Sequence, residues 1–194
     1  MTKADKIFNI VASGVGGQGL ITLSWIIAEA AFLEGKDVRM SELHGLSQRA
    51  GSVAVQLRLG ENIYSPLISQ GEADLVLSLE KNEALKSCYF SFKKRTIFLI
   101  NDFEIYSASF KNQKLPSLRE LRKFSKKTYL LKATEIVEKK LGLSVVAGVY
   151  LLSYAAFLGL LPLKPESILK AIKKVVPRGF NLNKKAFELA KKET

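Results

Sequence analysis

The sequence predicts an α/β fold: a mainly parallel, open sheet flanked by helices and followed by a helical C-terminal region. Three observations predict it. Short apolar runs rich in β-branched residues alternate with helical segments along residues 6–141, which is the pattern of a parallel sheet with crossover helices. The first apolar run leads directly into a glycine-rich loop and then a helix. Beyond Gly142 only segments with helical patterning follow.

The first half of the chain contains the strand signals that define the sheet. Residues 6–13 form a continuous apolar run, which indicates a buried parallel strand. Residues 20–33 predict a helix that ends at Gly35, and residues 37–41 predict a second strand, so that these elements make one βαβ unit. Further strands are predicted at residues 52–59, 73–79 and 96–100, with a helix at residues 81–88.

The second half is predicted to complete the sheet and to cover it with helices. Ser117 and Glu120 fit the capping box of a helix that extends to Lys127. A short strand at residues 128–131 and a helix at residues 135–141 follow. Three longer helices, separated by prolines, are predicted at residues 144–160, 165–176 and 183–192.

Length and composition limit both the number of domains and the kinds of site. A chain of 194 residues with 47% hydrophobic residues is large enough for one full core and predicts a single domain spanning residues 1–194. Cys88 is the only cysteine, which excludes an internal disulfide and a four-thiolate zinc or iron–sulfur site within this chain. His44 is the only histidine, which excludes a site built on two imidazoles. We therefore expect no metal site in this chain.

The positive charge of the chain is concentrated in its second part. Residues 1–80 contain 6 basic and 9 acidic side chains, whereas residues 81–194 contain 24 and 9. Such an excess fits nucleic acid, an acidic partner protein or a phosphorylated ligand, and it fits a solvated lysine-rich surface equally well. Because no recognisable RNA-binding motif interleaves aromatic residues with the basic ones, we expect no nucleic-acid partner.

Membrane association is not expected either. The longest apolar stretch, residues 143–163, contains Ser144, Ser153 and Tyr154. It indicates a buried helix of a globular domain, although its length would suffice to span a bilayer. The first residues lack the apolar core of a secretory signal peptide. We expect a soluble, cytoplasmic protein.

A glycine loop follows the first strand and supplies the main functional signal. Residues 14–19 are Gly14, Val15, Gly16, Gly17, Gln18 and Gly19, and they fit the G-x-G-x-x-G fingerprint of Rossmann-like dinucleotide sites. Glycines let a ligand approach the backbone, and the start of the next helix offers free N–H groups, so that a phosphate or carboxylate is the natural guest. Close strand–helix packing without a ligand is a second interpretation, and a true NAD site is a third.

Two details bear on the choice among these interpretations. Glu42, 23 residues after Gly19, stands where a dinucleotide-binding fold places the carboxylate that holds the ribose. A Walker A phosphate loop is excluded, because no Lys-Ser or Lys-Thr pair follows Gly19. A stand-alone NAD(P)-binding protein of the Rossmann type is therefore kept as the alternative function.

A second polar segment, residues 41–53 (SELHGLSQRAGSV), is expected at the same sheet edge as the glycine loop. Its candidate binding residues are Glu42, His44, Ser47, Gln48 and Arg49. Arg49 is suited to bind a carboxylate or phosphate through two parallel hydrogen bonds. His44 is the candidate for proton transfer, and a packing or surface role for it stays open. Ser47 and His44 do not make a serine–histidine–acid triad, since no nucleophile elbow is present.

Four ordered motifs give the chain a more specific resemblance. GVGGQG at residues 14–19, SELHGLSQRAGSV at 41–53, SPLI at 65–68 and GEADLVLSLEKNEAL at 71–85 together resemble the gamma-type domain of the 2-oxoacid:ferredoxin oxidoreductases. The similarity is strong over about residues 6–100, continues weakly through the helical tail, and is greatest to the indolepyruvate type. The resemblance implies that residues 1–194 form a single pyruvate/2-oxoacid ferredoxin oxidoreductase gamma-type domain.

The same resemblance implies a multi-subunit enzyme that oxidatively decarboxylates a 2-oxoacid, forms an acyl-CoA and reduces ferredoxin, with indolepyruvate or another aryl pyruvate as the substrate. Thiamine diphosphate and iron–sulfur clusters are implied for a larger alpha subunit, in agreement with the single cysteine of this chain. This chain is expected to bind no cofactor and to be inactive alone. It is expected to contribute to the shared active-site or coenzyme A cleft through the glycine loop and residues 44–51, with Gln48 and Arg49 as direct contacts.

Overall fold

A computed structural model describes residues 7–44, 51–105 and 118–194, with the side chains of His44 and Leu118 excepted. The strands are Phe8–Val15 (β1), Asp37–His44 (β2), Ser52–Gly60 (β3), Leu75–Ser78 (β4), Ile97–Asn101 (β5) and Lys127–Leu131 (β6). The α-helices are Leu20–Leu33 (α1), Lys81–Lys86 (α2), Leu118–Leu121 (α3), Ala133–Leu141 (α4), Ala147–Phe157 (α5), Pro165–Val175 (α6) and Phe180–Lys192 (α7). Short 3-10 turns follow α2 at Ser87–Phe90 and precede α5 at Ser144–Val146.

The strands form one mixed sheet in the order β2-β3-β1-β4-β5-β6. The neighbours β1, β4, β5 and β6 are parallel, whereas β3 is antiparallel to both β1 and β2. Every strand except β3 therefore runs in the same direction. The predicted α/β class with a mainly parallel sheet is confirmed. β1, α1 and β2 form the predicted βαβ unit, but β3 is inserted between its two strands.

Several element boundaries differ from the prediction. β2 continues through Glu42 to His44, residues predicted as loop, because each of them pairs with a residue of β3. The predicted helix at residues 117–127 is reduced to α3, since the N–H group of Lys126 already donates to the carbonyl oxygen of Thr96 (2.7 Å) and joins the sheet. Ser117 lies outside the described residues. The predicted helix at residues 144–160 is shorter, because it starts as a 3-10 turn and ends at Phe157.

The two faces of the sheet are covered unequally. Side chains of a strand alternate between the faces, so Ile10 and Ala12 join the core beneath the large helices, while Val11 faces the other way. The larger core contains buried residues of α1, α4, α5, α6 and α7. The smaller core packs β1, β4 and β5 against Ala84 of α2 and Leu121 of α3. One face of the sheet therefore carries most of the apolar burial.

α5 is buried on nearly all sides, which accounts for the long apolar stretch of the sequence. All of its residues from Ala147 to Ala156 except Tyr154 are buried. Gly148 lies against α1 and the end of β4: a Cβ atom at this position would make ordinary contacts with Leu23 at 3.4 Å and with Leu79 at 3.6 Å. In the part of the chain that the structure describes, no helix is long and apolar enough to cross a membrane.

The carboxyl ends of β1, β2, β4, β5 and β6 meet at one edge of the sheet, hereafter the carboxyl edge. The register places Val15 opposite Ser52 and His44 opposite Val53, so β3 begins where β1 and β2 end. α1, α2 and α4 start at the same edge, after β1, β4 and β6. The glycine loop and the residues on both sides of residues 45–50 thus lie at this edge. Open α/β sheets bind their ligands at the carboxyl ends of their strands.

Candidate functional site

The glycine loop between β1 and α1 requires glycine at two positions for its backbone. Gly17 has a φ of 99° and Gly19 a φ of 76°, in the left-handed region that a Cβ atom disfavours. Gly19 is the N-cap of α1, and Gly16, Gly17 and Gly19 are exposed. The N–H groups in the first turn of a helix have no acceptor within that helix. The start of α1 therefore presents N–H donors and a partial positive charge at the carboxyl edge, whereas the N–H groups of Gly16 and Gln18 donate to the carbonyl oxygens of Gly51 and Val15.

The side chain of Gln18 folds back into the protein. Its Oε1 accepts a hydrogen bond from the N–H group of Val15 (2.8 Å), and its Nε2 donates to the carbonyl oxygen of Leu79 (3.1 Å). A Cβ atom at Gly14 would lie only 2.8 Å from this Oε1. Gln18, predicted as a binding residue, thus ties the loop to β1 and to the end of β4, and its amide is engaged with backbone groups.

The second polar segment, residues 41–53, contacts the glycine loop at the carboxyl edge. The N–H group of Gly16 donates to the carbonyl oxygen of Gly51 at 2.9 Å, and the backbone of His44 pairs with Val53 two residues further on. The two flanks of residues 45–50 therefore lie beside the loop. Ser47, Gln48 and Arg49, and the side chain of His44, lie outside the described residues.

Glu42 is exposed near the end of β2, in a position that differs from the ribose-binding carboxylate of dinucleotide folds. That carboxylate stands at the end of the strand next to β1. Here β3 lies between β1 and β2, so β2 is separated from β1 by about 10 Å, two inter-strand spacings, instead of about 5 Å. The strand order thus does not reproduce the dinucleotide-binding arrangement around the glycine loop.

Ser52 and Glu83 form a contact at the carboxyl edge that the sequence did not reveal. The hydroxyl group of Ser52, at the start of β3, donates a hydrogen bond to Oε2 of Glu83. Glu83 is 5% exposed, and its Oε1 lies 2.7 Å from the Nζ atom of Lys86. The contact joins Ser52, near the end of the second polar segment, to α2, which follows β4.

Glu80, two residues after the end of β4, is a buried acidic residue at the carboxyl edge. It is 1% exposed and caps α2, since its Oε2 accepts from the N–H group of Glu83 (2.9 Å). Its Oε1 accepts from the side-chain Nδ2 of Asn82 (2.9 Å). Burial raises its pKa above the ordinary value, and these hydrogen bonds oppose the shift. The sequence did not predict this capping role. The available signal was an acidic residue between a predicted strand and a predicted helix, but glutamate is not among the preferred N-cap residues.

Two cavities of about 430 Å³ each lie at the opposite, amino edge of the sheet. One is lined by Asp37, Arg39 and Tyr64 and their neighbours, and the other by Gly71, Phe92 and Arg95 and theirs. Neither of these two cavities contains a predicted site residue. Within the described residues, no group of three or more His, Cys, Asp or Glu side chains is arranged to hold a metal ion.

Solved structures share the fold of this chain. The gamma subunit of a keto/oxoacid ferredoxin oxidoreductase from Geobacter sulfurreducens has a TM-score of 0.68 at 24% identity, covering 95% of this chain and 96% of that one. A pyruvate oxidoreductase subunit from Thermotoga maritima has a TM-score of 0.70 at 21% identity, with 96% of each chain covered. A 2-oxoglutarate:ferredoxin oxidoreductase from Magnetococcus marinus, with 2-oxoglutarate, coenzyme A and succinyl-CoA bound, has a TM-score of 0.72 at 16% identity and covers 96% of this chain but 30% of that one.

Curated relatives are similar over most of their length. Indolepyruvate oxidoreductase subunit IorB of Archaeoglobus fulgidus is 37% identical over 191 residues, 93% of this chain and 92% of that protein. IorB of Pyrococcus horikoshii is 34% identical over 197 residues, with 96% of each covered. The pyruvate/ketoisovalerate oxidoreductases common subunit gamma of Pyrococcus furiosus is 32% identical over 162 residues, with 82% of each covered. Residues 9–193 also match the pyruvate ferredoxin/flavodoxin oxidoreductase family. The resemblance seen in the four motifs is thereby confirmed, and the chain belongs to this family as a domain of the gamma type.

Proposed function

We propose that this chain is the subunit without iron–sulfur clusters of a 2-oxoacid:ferredoxin oxidoreductase. The complex would decarboxylate a 2-oxoacid oxidatively, pass the acyl group to coenzyme A and deliver the electrons to ferredoxin. Indolepyruvate or another aryl pyruvate is the proposed substrate, because relatives 34% and 37% identical over more than nine-tenths of the chain are named indolepyruvate oxidoreductase subunits.

The redox chemistry is assigned to a larger alpha subunit. With Cys88 as its only cysteine, this chain lacks the four thiolates that hold a typical cluster. The clusters, which supply electron transfer, are therefore proposed to lie in that subunit. Thiamine diphosphate, which supplies carbanion chemistry, is proposed to lie there as well, as the family resemblance implies. The part left to this chain is binding and orientation of the reactants.

The hydrogen bond from Gly16 to the carbonyl oxygen of Gly51 (2.9 Å) is the observation that supports the site best. It joins two segments of separate sequence position at an edge where the glycine loop is exposed. We assign the exposed amides of this loop to the coenzyme A cleft, since phosphate groups are the natural ligands of a helix N-terminus. Arg49, with Gln48, Ser47 and His44 in the same segment, is proposed to add direct contacts to a phosphate or carboxylate.

Co-expression of this chain with the larger subunit tests the proposal. The complex should reduce ferredoxin or a viologen dye only when a 2-oxoacid and coenzyme A are both supplied, and kcat/KM should be higher for indolepyruvate than for pyruvate. The chain alone should be colourless and inactive. A chain that associates with no such subunit and instead binds NAD(H) by itself would support the stand-alone dinucleotide-binding alternative and overturn the proposal.

A further inference from the structure

Asn101, the last residue of β5, is a buried polar residue that connects three elements at the carboxyl edge. It is 1% exposed. Its Nδ2 donates to the carbonyl oxygen of Leu79 after β4 (3.1 Å) and to Oγ1 of Thr134 in α4 (2.7 Å). Its Oδ1 accepts from the N–H group of Thr134 (3.2 Å). A buried amide is costly unless its hydrogen bonds are made, and an apolar residue here would leave Thr134 without these partners.

The carbonyl oxygen of Leu79 links Asn101 to the glycine loop. It accepts two hydrogen bonds, from Nδ2 of Asn101 and from Nε2 of Gln18, both at 3.1 Å. The N–H group of Leu79 donates to the carbonyl oxygen of Ser13 in β1 (2.8 Å). The backbone of Leu79 is thus held by β1 at its N–H group and by the glycine loop and β5 at its carbonyl oxygen.

The path of the glycine loop follows the side chain of Gln18. Gln18 stands between Gly17 and Gly19, which both have positive φ angles. Its side-chain amide is held at one end by Val15 and at the other by Leu79. Glycines on both sides offer little resistance to reorientation. The direction of the exposed N–H groups therefore depends on where the Leu79 carbonyl oxygen holds the Gln18 amide.

We propose that Asn101 is a positioning residue for the exposed amides of the glycine loop, acting through the Leu79 carbonyl oxygen and Gln18. Asn101 itself stays buried and touches no ligand. The proposal rests on the proposed function, in which these amides face the coenzyme A cleft. Loss of the Asn101 hydrogen bond should therefore weaken coenzyme A binding without changing recognition of the 2-oxoacid.

The substitution Asn101→Asp in the assembled complex tests this proposal. Aspartate keeps the size of the side chain and the acceptor for Thr134, but it removes both N–H donors. We expect the KM for coenzyme A to rise about 3- to 10-fold, the range for one hydrogen bond, while kcat and the KM for the 2-oxoacid change less than about 2-fold. Thermal unfolding of the same samples measures the accompanying loss of stability.

Two further variants separate positioning from folding. Asn183 in α7 is also buried, and its Nδ2 donates to the carbonyl oxygen of Gly179 (2.9 Å), so Asn183→Asp should lower stability and leave every KM unchanged.

Gln18→Glu removes the other donor to the Leu79 carbonyl oxygen and should raise the KM for coenzyme A as Asn101→Asp does. It also serves as the test if Asn101→Asp does not fold. Because both act on one oxygen, the double variant should show less than the product of the two effects.

The outcomes distinguish this proposal from the proposed function. A wild-type complex without 2-oxoacid- and coenzyme A-dependent activity overturns both. If the wild-type complex is active, the positioning role alone is overturned by either of two results. In the first, Asn101→Asp and Gln18→Glu lower the melting temperature but leave the KM for coenzyme A unchanged. In the second, the two variants raise the KM for the 2-oxoacid instead.

Discussion

Gly14 is a glycine because of the side chains that lie against it. A Cβ atom there would be 2.8 Å from Oε1 of Gln18 and 3.3 Å from the Cβ atom of Leu79. Gly17 and Gly19 are required instead by their positive φ angles, and a Cβ atom on either would meet no atom within 4 Å. One fingerprint thus combines two physical requirements: close packing under the loop, and a left-handed backbone on its exposed side.

Gly14→Ala should destabilise the protein. The added methyl group would displace the amide of Gln18, whose two hydrogen bonds fix the loop, and overpacking of this kind costs about 1 to 3 kcal/mol. Gly148→Ala is the matched control, because its Cβ atom would make ordinary contacts of 3.4 Å or longer within α5. Urea unfolding of both variants measures the difference, and equal stability of the two would contradict this account of Gly14.

Cys88 should be a poor nucleophile in the folded protein. It is half-buried, and burial raises the pKa of its thiol to about 11. Because the thiolate is the reactive form, reaction with a disulfide reagent at pH 8 should be about 100-fold slower than for a free thiol. The rate should increase as the pH rises toward 11 and should reach the ordinary value in urea. Equal rates in native buffer and in urea at pH 8 would show that the thiol is not protected.

Arg49→Ala should weaken coenzyme A binding by the assembled complex. Removal of one charge-assisted contact to a phosphate group predicts a rise in KM of about 10- to 100-fold. Arg122→Ala is the control, since Arg122 is exposed at the amino edge, shortly before β6, and should leave the KM unchanged. An unchanged KM in Arg49→Ala would remove Arg49 from the proposed coenzyme A contacts.

At the scale of elements, local signals predicted some boundaries well and long-range pairing limited others. α1 has the predicted bounds, Leu20–Leu33, because Gly19 and Gly35 mark both ends of its apolar run. The alternation of residues 52–59 predicted β3, but its place between β1 and β2 depends on pairing with residues far away in the chain. No local pattern carries that information.

The candidate site was also predicted only in part. The glycine loop and the second polar segment were predicted to be neighbours, because carboxyl ends of parallel strands share an edge, and Gly16 does contact Gly51. The roles of Glu80 and Asn101 could not be predicted. Each is a single polar residue near the end of a strand, which is no distinctive local signal. The groups that these residues contact are brought near them only by the register between β4 and β5.

Tyr150 should stabilise the contact between α5 and α7. Its ring is fully buried, and its hydroxyl group donates to Oε2 of Glu193 (3.0 Å). Burial and the nearby carboxylate raise its pKa above the ordinary value, so the hydroxyl stays a donor at neutral pH. Tyr150→Phe should lower the free energy of unfolding by about 1 kcal/mol. Tyr154→Phe, on the half-buried neighbour in the same helix, should change it by less than about 0.5 kcal/mol, and a reversed order would contradict the role of Glu193.

At the scale of the whole molecule, the candidate site and the excess positive charge belong to different parts of the chain. The glycine loop and the second polar segment, residues 41–53, come from the first part, where acidic residues outnumber basic ones. The basic part supplies α4, α6 and α7, which carry exposed lysines, among them Lys139, Lys140, Lys170, Lys173 and Lys185. These helices contribute to the core that supports α1 and β1 and leave the glycine loop exposed.

Amide hydrogen exchange, compared between the isolated chain and its complex with the larger subunit, tests most directly whether the carboxyl edge is one half of a shared site. Residues 14–22 and 51–53 should exchange at least about tenfold more slowly in the complex, because the partner covers the exposed amides. Residues 60–64 at the amino edge, where Tyr64 is 93% exposed, should exchange at the same rate in both states. A complex that turns over a 2-oxoacid while residues 14–22 exchange as fast as in the isolated chain would contradict the shared site.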